Sequence, residues 1–200
     1  METPRRVNYR FAKLYGSYDG FYRNDNGQSD PGISSLFDFT AGTINLLGDQ
    51  FKRGYLNSDR RHVANALVAY TLTKDTPYLG KLNGVTVGTW IHALTGTPLS
   101  AYESHPVYLN PGEVPVGGRG TLGTTPVNVY ADASVTDVIR VSEKSSLKLA
   151  FDGFNVTNSQ AIIGTNQNLD TSPGAVNPDY KRPNQYVSPF RARFNIELSF

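Results

Sequence analysis

Side chains able to do chemistry are few and scattered in this 200-residue sequence. There is no cysteine, which removes thiolate nucleophiles, thiolate metal sites and disulfides together. The three histidines, His62, His92 and His105, lie too far apart for ligand spacing of the HxxxH kind. "GGRGTLG" at 117–123 is rich in glycine, but no strand-to-helix context surrounds it, and it reads as loop backbone rather than a phosphate cradle. "NDNGQSD" at 24–30 supplies oxygen donors without the spacing or the closing Glu of a calcium loop. Asn, Asp and Gly are also the residues that turns require. Tyr18, Tyr22, Trp90, Tyr130, Phe151 and Phe194 are of a type that stacks on sugars, although packing in a wall or girdle accounts for them more simply. No catalytic, cofactor-binding or metal-ligating set emerges, and the reading is of a protein that is not an enzyme and needs no cofactor.

Composition narrows the class. A net charge of +2 argues against a partner bound through phosphates, so no nucleic acid is expected. Charged residues make up 18% of the chain, below the roughly 25% of soluble domains. Tyr and Phe are plentiful, and Gly, Pro, Asn, Ser and Thr point to strands and turns. No run of 18 apolar residues occurs, and "METPRRVNYRF" has no signal-peptide core. Neither absence bears on a transmembrane β-barrel, in which only alternate residues face lipid.

The elements that would position these side chains are strands. Six segments alternate apolar and polar residues, near 7–23, 61–72, 84–95, 126–141, 146–156 and 190–200. Period-two alternation means a strand with one apolar face. In the first segment Ala12, Leu14, Gly16, Tyr18, Gly20 and Tyr22 share a face, opposite Lys13, Tyr15, Ser17, Asp19, Phe21 and Arg23. The connections, 24–60, 73–83, 96–125, 142–145 and 157–189, run long, short, long, short, long. A compact soluble domain seldom holds loops of such length, since the median is about 4–6 residues. Outer-membrane barrels combine long outer loops with short periplasmic turns. With the C-terminus at the periplasmic rim, every connection falls on its proper side. The expected fold is therefore all-β: an antiparallel transmembrane β-barrel segment of about six strands, an incomplete barrel, with long extracellular loops.

The last segment, "FRARFNIELSF", gives the faces most clearly. Phe190, Ala192, Phe194, Ile196, Leu198 and Phe200 would meet lipid, and Arg191, Arg193, Asn195, Glu197 and Ser199 the lumen. Phe200 falls where an interfacial aromatic girdle belongs. Asp137 breaks the rule by sitting on the outward parity of the fourth segment; closeness to the short turn, or a bulge, would relieve it. A second reading, a soluble secreted β-sandwich that binds carbohydrate, fits the strands but not the loop alternation. Exposed apolar residues of the long connections, Leu36, Phe37, Phe39, Leu46, Leu47, Phe51 and Tyr55, suit a ligand role without singling out any residue, so the ligand-binding set is unknown.

Several stretches carry a family resemblance. They are "LYGSYDGFYRNDNGQSDPGISSLFDF" at 14–39, "NSDRRHVANALVAYTL" at 57–72, "LTGTPLS" at 94–100, "GRGTLGTTPVNVYADASV" at 118–135 and "SSLKLAFDGFNVTNSQ" at 145–160. The last contains an "FNxxN" pattern as Phe154, Asn155 and Asn158, so the sequon "NVT" at 155–157 is coincidental. With the terminal Phe strand, their order and spacing resemble the C-terminal part of TonB-dependent outer-membrane transporters, in particular the Oar-like group. The resemblance covers essentially all of residues 1–200. It implies location in the cell outer membrane and a 22-stranded barrel of which these strands would be the last six. The expected function is gated passage of a bulky ligand. It implies as partners outer-membrane lipid and the barrel assembly machinery, for which Phe190, Phe194, Ile196, Leu198 and Phe200 form the terminal signal. The TonB system would act only through an N-terminal plug that these 200 residues do not include. The chain is thus expected to be a fragment, with flexible outer loops and two unpaired sheet edges.

Overall fold

The computed structural model describes residues 5–16, 53–79, 82–104, 109–112 and 114–200. Six strands carry the fold: β1 (Arg5–Phe11), β2 (His62–Thr71), β3 (Thr86–Leu94), β4 (Asn128–Arg140), β5 (Ser146–Phe154) and β6 (Arg191–Ser199). They form one antiparallel sheet in chain order, each strand pairing with its sequence neighbour. Among the described residues, β1 and β6 have no outer partner and the sheet does not close.

Register aligns the apolar faces across the whole sheet. One row runs Tyr70, Val87, Val135, Phe151, Phe194; the row beside it runs Asp137, Leu149, Ile196. Toward the other rim, Val7, Ala66, Ile91 and Ala131 line up in the same way. β-Branched and aromatic residues on one pleated face are what such a sheet favours. The polar face is equally continuous: Asn65, His92 and Tyr130 share a row, as do Ser134, Asp152 and Arg193. Asp137 keeps its outward parity, with unbroken pairing to Leu149 through to the end of β4, so no bulge re-aims it.

The first segment departs from expectation. Its sheet strand is only Arg5–Phe11, and its apolar face is the odd-numbered one, with Val7, Tyr9 and Phe11 opposite Ala66, Ala64 and His62. The chain leaves the sheet at residues 12–14, then pairs Tyr15–Gly16 with Gly54–Tyr55 in a separate ribbon. The alternation continues past residue 11, so the period alone does not mark this break. Tyr18, Tyr22 and the 24–30 stretch lie outside the described residues, as do His105 and the apolar set Leu36, Phe37, Phe39, Leu46, Leu47 and Phe51.

The long connections, 12–61, 95–127 and 155–190, share one rim of the sheet, and the short ones, 72–85 and 141–145, the other. The described parts of the long connections are built, not loose. Ala101–Glu103 pairs with Val114–Val116, Ile162–Thr165 with Pro183–Tyr186, and Asp170–Ser172 with Ala175–Val176. Tyr102, 1% exposed, joins all three: its N–H donates to the Gln167 carbonyl, its carbonyl accepts from Leu169 N–H, and its hydroxyl accepts from Asn57 Nδ2. Ser100, fully buried, donates its N–H to Gln167 Oε1 and accepts Gly120 N–H at Oγ. Glycine makes the approach possible. A Cβ on Gly96 would stand 1.7 Å from the Thr125 carbonyl oxygen, and one on Gly54 2.2 Å from that of Arg119. Most of the buried residues belong to this layer rather than to the sheet.

The 155–190 connection is anchored to the sheet by Asn155, which follows β5 directly. It is buried and left-handed, with φ of 49°. Its N–H donates to Asp132 Oδ1 at 2.8 Å, and its Nδ2 to the carbonyls of Ser159 and Ser188 at 3.0 and 2.8 Å. Its Oδ1 accepts from Thr157 Oγ1 and Ser159 N–H. Asn158, also left-handed at 48°, accepts Phe190 N–H and so ties the end of the connection to its start. Asn tolerates this conformation and its amide satisfies the turned backbone, a pairing that few residue types offer. Because the Asn155 amide is buried and doubly bonded, the sequon at 155–157 does not present a glycan acceptor.

Removing the Asn155 amide leaves the Ser188 carbonyl and a turned backbone without partners. Asn155→Ala is expected to cost about 1–3 kcal/mol, read as faster hydrogen exchange confined to 155–190. Unchanged protection there would show that the amide does not hold the connection.

Candidate functional site

Polar side chains on the polar face of the sheet are held in pairs by the register described above. Asp152 is a centre of this kind: Arg193 Nε and Nη2 donate to its Oδ2 at 3.1 and 2.9 Å, and Asn195 Nδ2 donates to the same oxygen at 3.1 Å. Two rows on, Lys148 Nζ lies 3.4 Å from Glu197 Oε2. Exposed pairs of this sort contribute about 0–1 kcal/mol, so they fix geometry more than stability. The guanidiniums of Arg191 and Arg193 stand 5.7 and 5.6 Å from the Phe154 ring centre.

A second cluster sits nearer the long-loop rim. His92 stacks on Tyr130, ring centres 4.6 Å apart at 19°, and Trp90 lies against it at 4.7 Å, tilted by 37°. Its Nδ1 is 2.8 Å from Asn65 Oδ1 and its Nε2 is 3.4 Å from Asp132 Oδ2. Asp132, which also accepts Asn155 N–H, therefore joins the sheet to the rim layer. Arg60, just before β2, donates Nη1–H to the Thr95 carbonyl at 2.8 Å. Burial lowers its pKa from the usual guanidinium value, and the nearby Tyr130 oxygen opposes that shift.

These groups meet in a cleft of about 340 Å3 where the polar face runs under the rim. Arg60, Tyr130, Asp132, Phe154 and Arg191 come from the sheet side, and Ile163, Val187 and Ser188 from the 155–190 connection. What the arrangement offers is recognition: cationic donors, ring faces and apolar side chains around one space.

The sequence-derived candidates divide between the two faces. Phe194, Ile196 and Leu198 lie on the apolar face of β6 and are exposed, Ile196 at 65%. Phe190 belongs to the same face, since its ring would be 3.4 Å from a Cβ on Gly153. Phe200 is 97% exposed beyond the end of β6. Among the aromatics considered as a sugar platform, Trp90 and Tyr130 are on the polar face and Phe151 and Phe194 on the apolar one, so these four do not form one surface. His62 lies on the apolar face with its Nδ1 2.7 Å from the Tyr9 hydroxyl, on the opposite side of the sheet from His92. The glycines of 117–123 turn the chain through positive φ at 117, 118, 120 and 123, and Gly120 packs on Tyr55. Arg60 and Asp132 went unmarked in the sequence. Arg60 lies inside the "DRRH" stretch, but a single arginine in a connection gives no spacing to read.

Comparison with known proteins returns the same relationship as the motifs. The chain is 29% identical over 230 residues to the TonB-dependent transporter Oar of Myxococcus xanthus, an alignment covering 98% of this chain and 20% of that protein. The chain thus spans about a fifth of the length of the relative it matches. No family model matches, and no solved structure matches. Over nearly its whole length, this chain resembles part of an Oar-like TonB-dependent transporter.

Proposed function

We propose that these strands form part of the wall of an outer-membrane transport barrel, with the apolar face on lipid and the polar face lining the lumen. The observation that carries the reading is the alignment of two opposite faces, one apolar and one polar, through all six strands. In hydrocarbon every backbone group must be paired, which requires the edges β1 and β6 to meet further strands in the complete protein. The likeness to a TonB-dependent transporter supports an outer-membrane location and a transport role. Passage of a bulky ligand would be gated and driven through the TonB system, by contacts made outside these 200 residues. Phe190, Phe194, Ile196, Leu198 and Phe200 would serve as lipid face and as the strand read by the barrel assembly machinery. A soluble carbohydrate-binding sandwich is not favoured, because it requires a second layer on the apolar face. Among the described residues, Val7, Ile91, Val135, Phe151 and Ile196 on that face are instead exposed.

Two measurements test the reading. In the full-length protein, Ile196→Arg should reduce barrel stability by about 2–4 kcal/mol, as for a charge placed at the lipid midplane. Asn195→Arg on the opposite face should cost far less, and equal effects in heat-modifiability assays would remove the assignment of faces. Cysteines at Ser58 and Ser172 should react with an impermeant thiol reagent on intact cells, while one at Lys144, in the short turn, should not. Labelling at 144 alone would invert the topology.

A further inference from the structure

The geometry points to an anion site in the rim cleft, selective for an organic carboxylate carrying an apolar or aromatic body. The inference deepens the transport reading by naming a ligand class, and rests on it only for access from the lumen side. Two guanidiniums, Arg60 and Arg191, line the cleft. Neither forms an ion pair with a carboxylate among the described residues. Arg60 spends one N–H on the Thr95 carbonyl, and Arg191 stands over the Phe154 ring. Arg193, the next arginine on the same face, is by contrast ion-paired with Asp152 through Nε and Nη2. Asp132 also lines the cleft, holding Asn155 N–H and facing His92, so two guanidiniums stand against one carboxylate and the lining keeps a positive balance.

Arg60 is half-buried, and its guanidinium makes no ion pair among the described residues, so an incoming anion gives it the charged partner it lacks. The fork of a guanidinium fits a carboxylate through two parallel N–H donors. Around the cations, Tyr130 and Phe154 offer ring faces, and Ile163 and Val187 offer aliphatic surface. A small inorganic anion would use the first set and leave the second idle. The combination therefore selects a carboxylate with an apolar group attached, from a peptide end or a small aromatic acid.

The test is isothermal titration of the whole protein in detergent with N-acetyl-phenylalanine, its neutral amide N-acetyl-phenylalaninamide, and acetate. The acid should bind about tenfold or more tightly than the amide, the loss expected for one charge-assisted hydrogen bond. It should also bind more tightly than acetate. Arg191→Gln should lower affinity for the acid about tenfold, and Arg191→Lys should restore part of it. Arg191 is exposed and makes no backbone tie, so its variants keep the test decisive even if Arg60→Gln loosens the Thr95 contact. Equal binding of acid and amide, acetate binding as well as the ring-bearing acid, undiminished binding by Arg191→Gln, or no heat with the acid would each overturn the assignment. Absence of binding in a protein whose Ser58 and Ser172 cysteines label on cells removes the cleft alone. Binding by a protein that is not in the outer membrane removes the transport reading alone.

Discussion

Strand register decides which side of this protein each residue faces. The side-chain period of a strand is two, so a slip of one residue exchanges the faces entirely. Here a slip of β6 against β5 would carry Arg191, Arg193 and Glu197 onto the face now formed by Phe194, Ile196 and Leu198. Under the barrel reading proposed above, an Arg at the lipid midplane costs about 2–4 kcal/mol and a Glu less. A slip of one residue would thus put three charged residues on the side that is now apolar. The same arithmetic holds at β4, where Asp132 lies inward, and it isolates Asp137 as the exception. Asp137 shares its row with Leu149 and Ile196, and its pairing is unbroken, so no bulge turns it to the polar face.

A sheet whose two faces are both exposed has no interior of its own, and the buried residues lie elsewhere. They collect in the rim layer, where Tyr102, Ser100, Gln167, Asn155 and Asn177 pack with polar atoms paired. Connections normally stay at the surface because their backbone groups need partners. These connections supply partners from their own side chains: Ser104 donates to Asp170, Asn177 to Asn166 and the Asn168 carbonyl. Polar residues at the centre of this layer thus replace an apolar core, and Gly96 and Gly54 let the backbones come close enough for the pairing.

Five of the six sheet strands were legible within a residue or two at most positions, because a half-exposed strand writes its geometry directly into alternate residues. The 126–141 segment became Asn128–Arg140 and the 61–72 segment His62–Thr71. The first segment was misread for the same reason: Tyr15 and Gly16 alternate like a strand and are one, but in a different ribbon. Period reports local conformation and not the partner. The rim layer was largely illegible, since its order comes from contacts between residues distant in sequence, such as Ser100 with Gln167 and Asn57 with Tyr102. The FNxxN pattern was visible, but the left-handed turns that give its asparagines their role are three-dimensional facts. Arg60 was missed because its significance, a guanidinium in the cleft with no ion pair among the described residues, is not displayed by a sequence.

Asp132 links these three regions. One oxygen accepts the Asn155 N–H that begins the 155–190 connection, and the other faces His92 within the aromatic stack of the wall. Its carboxylate also borders the space between Arg60 and Arg191. An anion entering that space approaches a like charge, which on its own would disfavour it. The two guanidiniums outweigh the single carboxylate, and the Asn155 donor already holds part of its charge. Asp132 therefore belongs both to the lining of the proposed site and to the contact that begins the 155–190 connection.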